Sequence, residues 1–182
     1  MIMSLKLLKL RWKIFFWTIT GRMKKIHTRL KLNLAKGNSE NILIVFPMDE
    51  PSFRVALYAF RDLGKNDETK REFIFLVQEQ FRQLFHLQMG EAVFIEAVDP
   101  NDILSDEIFI MQSIKQKHFD IIVDLNPVFH LGITRLISLV SSDLKIGFTS
   151  PFSDKFYNIQ LDISKSGIME KGFKQINLIL AQ

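Results

Sequence analysis

Short apolar runs alternate with longer segments of helical period from residue 41 onward. The runs are rich in β-branched and aromatic residues. Such runs are typical of strands that are buried on both faces, as in a parallel sheet that is covered by helices. They predict strands over residues 42–46, 73–77, 92–96, 120–125 and 144–148.

The segments between these runs place apolar residues three and four positions apart, which is the spacing of a helix with one buried face. In residues 52–63 this spacing aligns Val55, Ala59 and Leu63. Further helices are predicted over residues 79–87, 102–117, 128–140 and 168–180. Strands that alternate with helices favour right-handed crossovers, with helices on both faces of the sheet. The pattern therefore predicts a three-layer, Rossmann-like α/β domain over residues 41–182, with a mostly parallel sheet.

Residues 1–40 form an arm and linker that differ from the rest of the chain in charge. Ten of the 24 lysines and arginines precede Glu40, the first acidic residue, which leaves 14 basic against 20 acidic residues in the remainder. The basic pI of about 9.3 therefore belongs to the arm, and the domain itself is mildly acidic. The polar turn residues at 37–39 predict the boundary between arm and domain.

The arm combines its cations with aromatic residues. On a helical wheel the lysines share one side and the apolar residues share another: Lys6, Lys9 and Lys13 against Leu8, Trp12, Phe15 and Ile19. This is the pattern of a helix that lies in the interface of an anionic membrane. The apolar stretch is far shorter than the roughly 20 residues of a membrane-spanning helix. We expect attachment to an anionic membrane surface; the alternative is packing on its own domain or on a partner chain. Nucleic acid is disfavoured, because no binding motif accompanies the arm.

The sequence lacks the residues that several kinds of chemistry require. There is no cysteine, which excludes thiolate catalysis and disulfides, and no small-residue cleavage site follows the arm, so a cytoplasmic location is expected. The loop after the first strand lacks G-x-G-x-x-G and G-x-x-x-x-G-K-[ST], which argues against a dinucleotide or P-loop site. The histidines have no metal-ligand spacing, and no G-x-S-x-G elbow is present. The sequence predicts no cofactor and no metal.

The polar residues of interest follow the predicted strands, since ligands of an open parallel sheet bind at the carboxyl ends of its strands. Asp49 comes directly after the first strand, where a carboxylate can act as a general base. The predicted substrate-binding residues are Glu50, Ser52, Asn126 and Ser150. An acid immediately before a helix is more often a cap for free N–H groups. The sequence leaves both interpretations of Asp49 open, the general base and the helix cap.

Several stretches of the domain form a series in a fixed order. They are the strand NILIVF, the Met48-Asp49 turn, the helix VALYAFRDLG, the strand FDIIVDLNP and the run LKIGFTSPFSDKFYN. The series resembles the N-terminal half of the lipopolysaccharide heptosyltransferases, the ADP-heptose-dependent family nine glycosyltransferases, over about residues 41–158. Asp49 matches the aspartate of the family's Gly-Asp turn, and residues 145–148 match an Arg-Ile-Gly-Phe-like strand. Met48 stands where the family has glycine, and Val55 where it has proline.

The resemblance implies one half of a GT-B glycosyltransferase, in which two Rossmann-like domains face a cleft. It implies a lipid-linked sugar acceptor on this domain, Asp49 as the base that deprotonates the acceptor hydroxyl, and a separate domain that binds the donor. Catalysis by this chain alone is then not expected. Such enzymes serve lipopolysaccharide or cell-surface glycan synthesis at the cytoplasmic face of the inner membrane, where the arm would hold the domain. The alternative function is a membrane-peripheral protein-interaction module without enzymatic activity.

Overall fold

The structure, a computed structural model, describes residues 5–26, 40–63, 71–96, 110, 112–114, 118–164 and 167–180. The described strands are β1 (Glu40–Val45), β2 (Arg71–Gln78), β3 (Glu91–Ile95), β4 (Phe119–Asp124), β5 (Ser142–Phe148) and β6 (Ile159–Leu161). The described α-helices are α1 (Leu5–Ile19), α2 (Glu50–Ala59), α3 (Leu131–Leu139) and α4 (Met169–Leu180), with 3₁₀ turns at Glu79–Phe81 and Ser153–Lys155. Residues 110 and 112–114 are also helical.

The described strands form one parallel sheet in the order β3-β2-β1-β4-β5-β6. The direction of this order reverses between β1 and β4. Such a reversal is a topological switch point, where the loops that leave two neighbouring strands diverge and open a crevice. Val45 pairs with Asp124, so β1 and β4 end at the same level. This register brings the loops after β1 and β4 together at the carboxyl edge of the sheet.

Both faces of the sheet are buried, because successive residues of a strand point to opposite sides. In β1, Ile42 and Ile44 join a core with α2 and α4, whereas Leu43 and Val45 join a second core with α3. A strand without a water-facing side has to be apolar throughout, which explains the continuous apolar runs in the sequence. The three-layer, Rossmann-like domain predicted from the sequence is confirmed.

The helix predicted over residues 79–87 is wrong. A 3₁₀ turn at Glu79–Phe81 is followed by irregular chain that leads to β3. Phe81 and Phe85 do lie on one side, as the spacing indicates, but a single turn suffices to pack both against aromatic rings of the core. A helix of two turns is marginal by itself.

Other elements differ from the prediction mainly at their ends. The strand β6 was not predicted, because three residues are too few to show a pattern. The helix α2 begins at Glu50, earlier than predicted, since Asp49 caps it and Pro51 suits its first turn. The helix α3 begins at Leu131, later than predicted. The helix predicted over residues 102–117 lies largely outside the described residues.

The arm forms α1, which packs on the domain through one face. Ile14 and, beyond the helix, Met23 are buried against a cluster that includes Phe156. The chain after α1 is fixed to the domain by hydrogen bonds from Lys24 N to Ser138 Oγ (3.2 Å), from Ile26 N to Lys155 O (3.1 Å) and from Arg135 Nε to Arg22 O (3.1 Å). One of the two expectations for the arm, packing on its own domain, therefore holds for this face.

The apolar side of α1 that the helical wheel identified does not take part in this packing. Leu8, Trp12, Phe15 and Ile19 all remain exposed. Among the described residues, no helix is long and apolar enough to cross a membrane. The helix α1 thus has two apolar faces, one against the domain and one towards the surroundings.

Candidate functional site

The loops after β1 and β4 are joined at the switch point by a hydrogen bond. Met48 N donates to the side-chain Oδ1 of Asn126 at 2.9 Å. Both residues are buried, so water does not compete for this bond. The bond holds Asp49 and Asn126, two of the predicted site residues, on neighbouring loops at the carboxyl edge of the sheet.

Asp49 caps α2 with one oxygen of its carboxylate. Its Oδ1 accepts a hydrogen bond from Ser52 N at 2.9 Å, and its backbone is extended, as at an N-cap. The capping interpretation of Asp49 is therefore confirmed. The side chain is exposed, and within the described part of the chain its Oδ2 accepts no hydrogen bond. Capping thus leaves one carboxylate oxygen accessible at the crevice.

Glu50 and Ser52 both lie in the first turn of α2, but their side chains have different surroundings. Glu50 is exposed and forms an ion pair with Arg54 one helical turn later, with 2.7 Å between Oε1 and NH2. Ser52 is buried, and its hydroxyl lies 3.4 Å from Met169 Sδ in α4. The Ser52 hydroxyl therefore belongs to the interface between α2 and α4, and only its N–H serves the Asp49 cap.

A buried carboxylate, Asp124, organises the loop after β4. Its Oδ1 accepts hydrogen bonds from Asn126 N at 3.0 Å and from Asn126 Nδ2 at 2.7 Å, and its Oδ2 accepts one from Tyr157 Oη at 2.5 Å. Burial raises the pKa of Asp124 above its ordinary value, although the hydrogen bonds from Tyr157 and Asn126 oppose this shift. Donors on both oxygens are the arrangement that stabilises an ionised carboxylate in a buried place.

Tyr157 reaches Asp124 because Gly147 in β5 has no side chain. A Cβ at Gly147 would lie 2.8 Å from ring atoms of Tyr157, so a larger residue would displace the ring. Burial raises the pKa of Tyr157 well above its ordinary value, and the charge of Asp124 raises it further. The phenol therefore stays protonated and acts as the donor. The glycine of the Lys-Ile-Gly-Phe run thus has a packing role next to the crevice.

The roles of Asp124 and Tyr157 were not predicted from the sequence. The available signal was an acidic residue at the end of the apolar strand FDIIVD, because a buried carboxylate needs hydrogen-bond partners. The partner, Tyr157, lies 33 positions further along the chain. Their contact depends on how the chain after β5 folds back over the sheet, which residue spacing does not reveal.

Ser150 lies in the loop after β5, apart from Asp49 and Asn126. Its N–H donates to Ser153 Oγ at 2.9 Å, and its carbonyl accepts from the same hydroxyl at 2.9 Å. Its own hydroxyl is buried and has no hydrogen-bond partner among the described residues. Ser150 therefore shapes its loop through the backbone, and no described hydrogen bond connects it to the other predicted site residues.

A histidine and two aspartates lie close together at the opposite, amino edge of the sheet. The potential ligand atoms of His118, Asp120 and Asp143 are within 4.8 Å of one another. His118 Nε2 is 3.5 Å from Asp143 Oδ2, and Asp120 Oδ2 accepts a hydrogen bond from Asn41 N at 2.8 Å. The contact between His118 and Asp143 and the backbone hydrogen bond to Asp120 account for this arrangement, which is separate from the crevice.

A cavity of about 410 Å³ also lies away from the crevice. It is lined by the turn after α2 and the chain before β3, with Arg61, Leu87 and Met89 among its residues. None of the predicted site residues lines it. The candidate site is therefore defined by the hydrogen-bonded loops at the switch point and not by this cavity.

The strand order, the two covered faces and the switch point define a Rossmann-like domain of the kind that forms one half of a GT-B glycosyltransferase. Two solved structures of the E. coli heptosyltransferase WaaC have a similar fold, one with ADP-2-deoxy-2-fluoro heptose and one with ADP. Each is matched with a TM-score of 0.56 and 17% identity over 75% of this chain. No protein-family model and no curated protein matches the sequence.

The chain spans 47% and 45% of the length of the two WaaC chains, which is less than half. At 17% identity the likeness concerns the fold. It confirms the heptosyltransferase-like fold that the resemblance of the sequence implied.

Proposed function

We propose that this domain is the acceptor-side half of a glycosyltransferase that builds lipopolysaccharide or another cell-surface glycan. The likeness in fold to heptosyltransferase WaaC supports the class of enzyme. The observation that carries the proposal is the position of Asp49, an exposed carboxylate at the switch point of the sheet. Ligands of open α/β sheets bind in the crevice at such a point.

In this proposal Asp49 is the general base. It takes the proton of an acceptor hydroxyl while the acceptor oxygen bonds to the anomeric carbon of a nucleotide-activated sugar and the nucleoside diphosphate leaves. Its position is set before the acceptor arrives: Ser52 N holds its Oδ1, and Asn126 holds the adjacent Met48 N–H. Such preorganisation lowers the barrier, because less ordering is required during the reaction.

The donor sugar is proposed to lie on a second Rossmann-like domain. The support is that this chain corresponds to less than half of the WaaC chains that it matches. The acceptor in turn is proposed to be a lipid-linked sugar, bound at the loops after β1 and β4.

The variant Asp49→Asn separates the charge of Asp49 from its capping role. Asparagine is as good an N-cap as aspartate, so the hydrogen bond from Ser52 N is kept while the negative charge is removed. We expect Asp49→Asn to bind a deacylated lipopolysaccharide core oligosaccharide about ten- to hundredfold more weakly, the range for a lost hydrogen bond to a charged group. Isothermal titration calorimetry measures this change. Asp62→Asn, in the turn after α2, is the matched control and should bind like the unaltered chain.

If Asp49→Asn binds the oligosaccharide as tightly as the unaltered chain, Asp49 takes no part in acceptor recognition and its assigned role is wrong. If the unaltered chain binds no core oligosaccharide, the membrane-peripheral interaction module without enzymatic activity becomes the better account. The exposed apolar face of α1 is the observation that favours this second candidate.

A further inference from the structure

The helix α1 exposes an apolar stripe that none of its described contacts covers. The buried face centres on Ile14, with Leu10 and Trp17 partly buried beside it. The opposite face carries the exposed side chains of Leu5, Leu8, Trp12, Phe15, Phe16 and Ile19. At about 100° per residue these positions fall within a stripe roughly 100° wide, directly opposite the buried face.

The three aromatic side chains of the stripe form one continuous surface. Their ring centroids are 6.0 Å apart for Trp12 and Phe15, 6.1 Å for Trp12 and Phe16, and 6.0 Å for Phe15 and Phe16. Each of these side chains is more than half exposed, at 55%, 53% and 57% respectively for Trp12, Phe15 and Phe16. Contiguous apolar surface of this kind marks a site of interaction with another apolar body.

The charges around the stripe indicate the chemistry of its binding partner. Lys9 and Lys13 border the stripe on one side and Arg11 borders it on the other, and all three are exposed. Exposed Arg22 and Lys24 follow at the end of α1. No acidic residue occurs before Glu40 in the sequence. The complementary partner is therefore apolar and anionic at once, which describes the interface of a bilayer that contains acidic phospholipid.

We propose that the exposed face of α1 docks this protein on an anionic phospholipid bilayer. The helix lies in the plane of the interface, with Trp12, Phe15 and Phe16 between the headgroups and the acyl chains. Lys9 and Arg11 extend from the two sides of the stripe to the headgroups, as long cationic side chains do at such boundaries.

The docked helix is part of the folded domain and not a flexible tether. Trp17, on the buried side, is held between Lys13 and Arg135, with 4.7 Å and 5.0 Å from each cation to the ring centroid. The cluster beneath α1 includes Phe156 and Tyr157, and the latter bonds to Asp124 at the end of β4. Docking through α1 therefore holds the carboxyl edge of the sheet close to the bilayer. These observations are independent of the proposed glycosyltransferase function.

The two tryptophans provide a test of which face of α1 meets the lipid. The variant Trp17→Phe retains only Trp12, and Trp12→Phe retains only Trp17. With vesicles of phosphatidylcholine and phosphatidylglycerol that contain brominated acyl chains, we expect strong quenching and a blue shift of Trp12 fluorescence. Trp17 should be quenched little, because it stays against the domain. Equal quenching of both tryptophans, or of neither, would overturn the proposal.

Vesicle co-sedimentation of the full chain tests how much the exposed aromatic side chains contribute to membrane binding. We expect the triple variant Trp12→Ser, Phe15→Ser, Phe16→Ser to lose vesicle binding by at least about tenfold, since it removes the apolar contribution. The matched control is Tyr58→Ser with Leu178→Ser, which removes exposed apolar side chains from α2 and α4 and should bind normally. Circular dichroism verifies that both variants are folded.

The lipid composition separates a membrane from a protein partner. Binding should weaken about tenfold or more on pure phosphatidylcholine vesicles, because the attraction of the cations to acidic lipid is removed. If the chain binds neither kind of vesicle but forms dimers that the triple variant disrupts, the face is a protein interface and the proposal is wrong. If both kinds of vesicle bind equally well, the role assigned to the cations is wrong.

Discussion

Asp124 contributes to the candidate site without lying at its surface. Its carboxylate holds Asn126, Asn126 holds the N–H of Met48, and Met48 precedes Asp49. Tyr157 Oη supplies the third hydrogen bond to Asp124. A buried carboxyl group is costly when its hydrogen-bond partners are missing, so each of these side chains affects the position of the loop at the crevice.

We predict that Tyr157→Phe lowers the free energy of unfolding by about 2 kcal/mol, the cost of leaving a buried acceptor without one partner. Asp124 then keeps only the donors of Asn126. Urea denaturation followed by circular dichroism measures the change. Tyr58→Phe is the control, since Tyr58 is exposed and its substitution should stay within about 0.5 kcal/mol. Equal effects of the two substitutions would show that the Asp124–Tyr157 bond adds nothing to stability.

Residue spacing placed the candidate site residues after particular strands but did not give the orientation of their side chains. Asp49 and Asn126 follow β1 and β4, and the carboxyl ends of parallel strands lie at one edge, so their proximity could be predicted. The burial of the Ser52 hydroxyl could not, because it depends on Met169, 117 positions away. The Asp124–Tyr157 pair was beyond prediction for the same reason.

The end of α3 depends on a lysine from the neighbouring strand. Lys145 in β5 is buried, and its Nζ donates to the carbonyls of Ile137 and Val140 at 2.7 Å and 2.9 Å. These carbonyls have no partner within the helix, and a cation suits that end of the macrodipole. Burial lowers the pKa of Lys145 to about 8, and the charge of Lys24 lowers it too.

This lowered pKa predicts that stability rises with pH above about 8. Between about 8 and the ordinary value of 10.5, the unfolded chain keeps the Lys145 proton that the folded chain has released. The unfolded state then binds more protons, so the free energy of unfolding increases with pH across this window. Lys145→Met should abolish this increase, whereas Lys171→Met, at an exposed position, should retain it. Urea titrations at a series of pH values measure the free energy of unfolding. If it still rises with pH in Lys145→Met, the rise does not come from Lys145.

Helices and strands could be predicted where the apolar pattern is long. The prediction failed where the pattern is short. The buried strands β1, β2 and β4 contain continuous apolar runs over residues 42–45, 73–77 and 121–123, which are typical of a parallel sheet that is covered on both faces. Residues 79–87 offer only three or four aligned apolar positions, a number that one 3₁₀ turn also satisfies. The edge strand β6 has three residues and no pattern of its own.

At the scale of the whole molecule, the uneven charge distribution predicted an arm that is distinct from the domain. The helical wheel of α1 correctly identified an apolar face with Trp12 and Phe15, but not a second face around Ile14 that packs on the domain. Both faces satisfy helical spacing, so the sequence cannot say which one is buried. The Ile14 face is the buried one because it fits the apolar cluster around Phe156, and this cluster forms only in the folded domain.

We propose that the crevice between β1 and β4 binds a sugar acceptor. The measurement that tests it most directly is an amide NMR titration of the full chain with a deacylated lipopolysaccharide core oligosaccharide. We predict saturable shifts of the amides of residues 46, 48–50 and 124–126. Shifts confined to the cavity near Arg61, Leu87 and Met89, or no saturable shifts at all, would contradict the account.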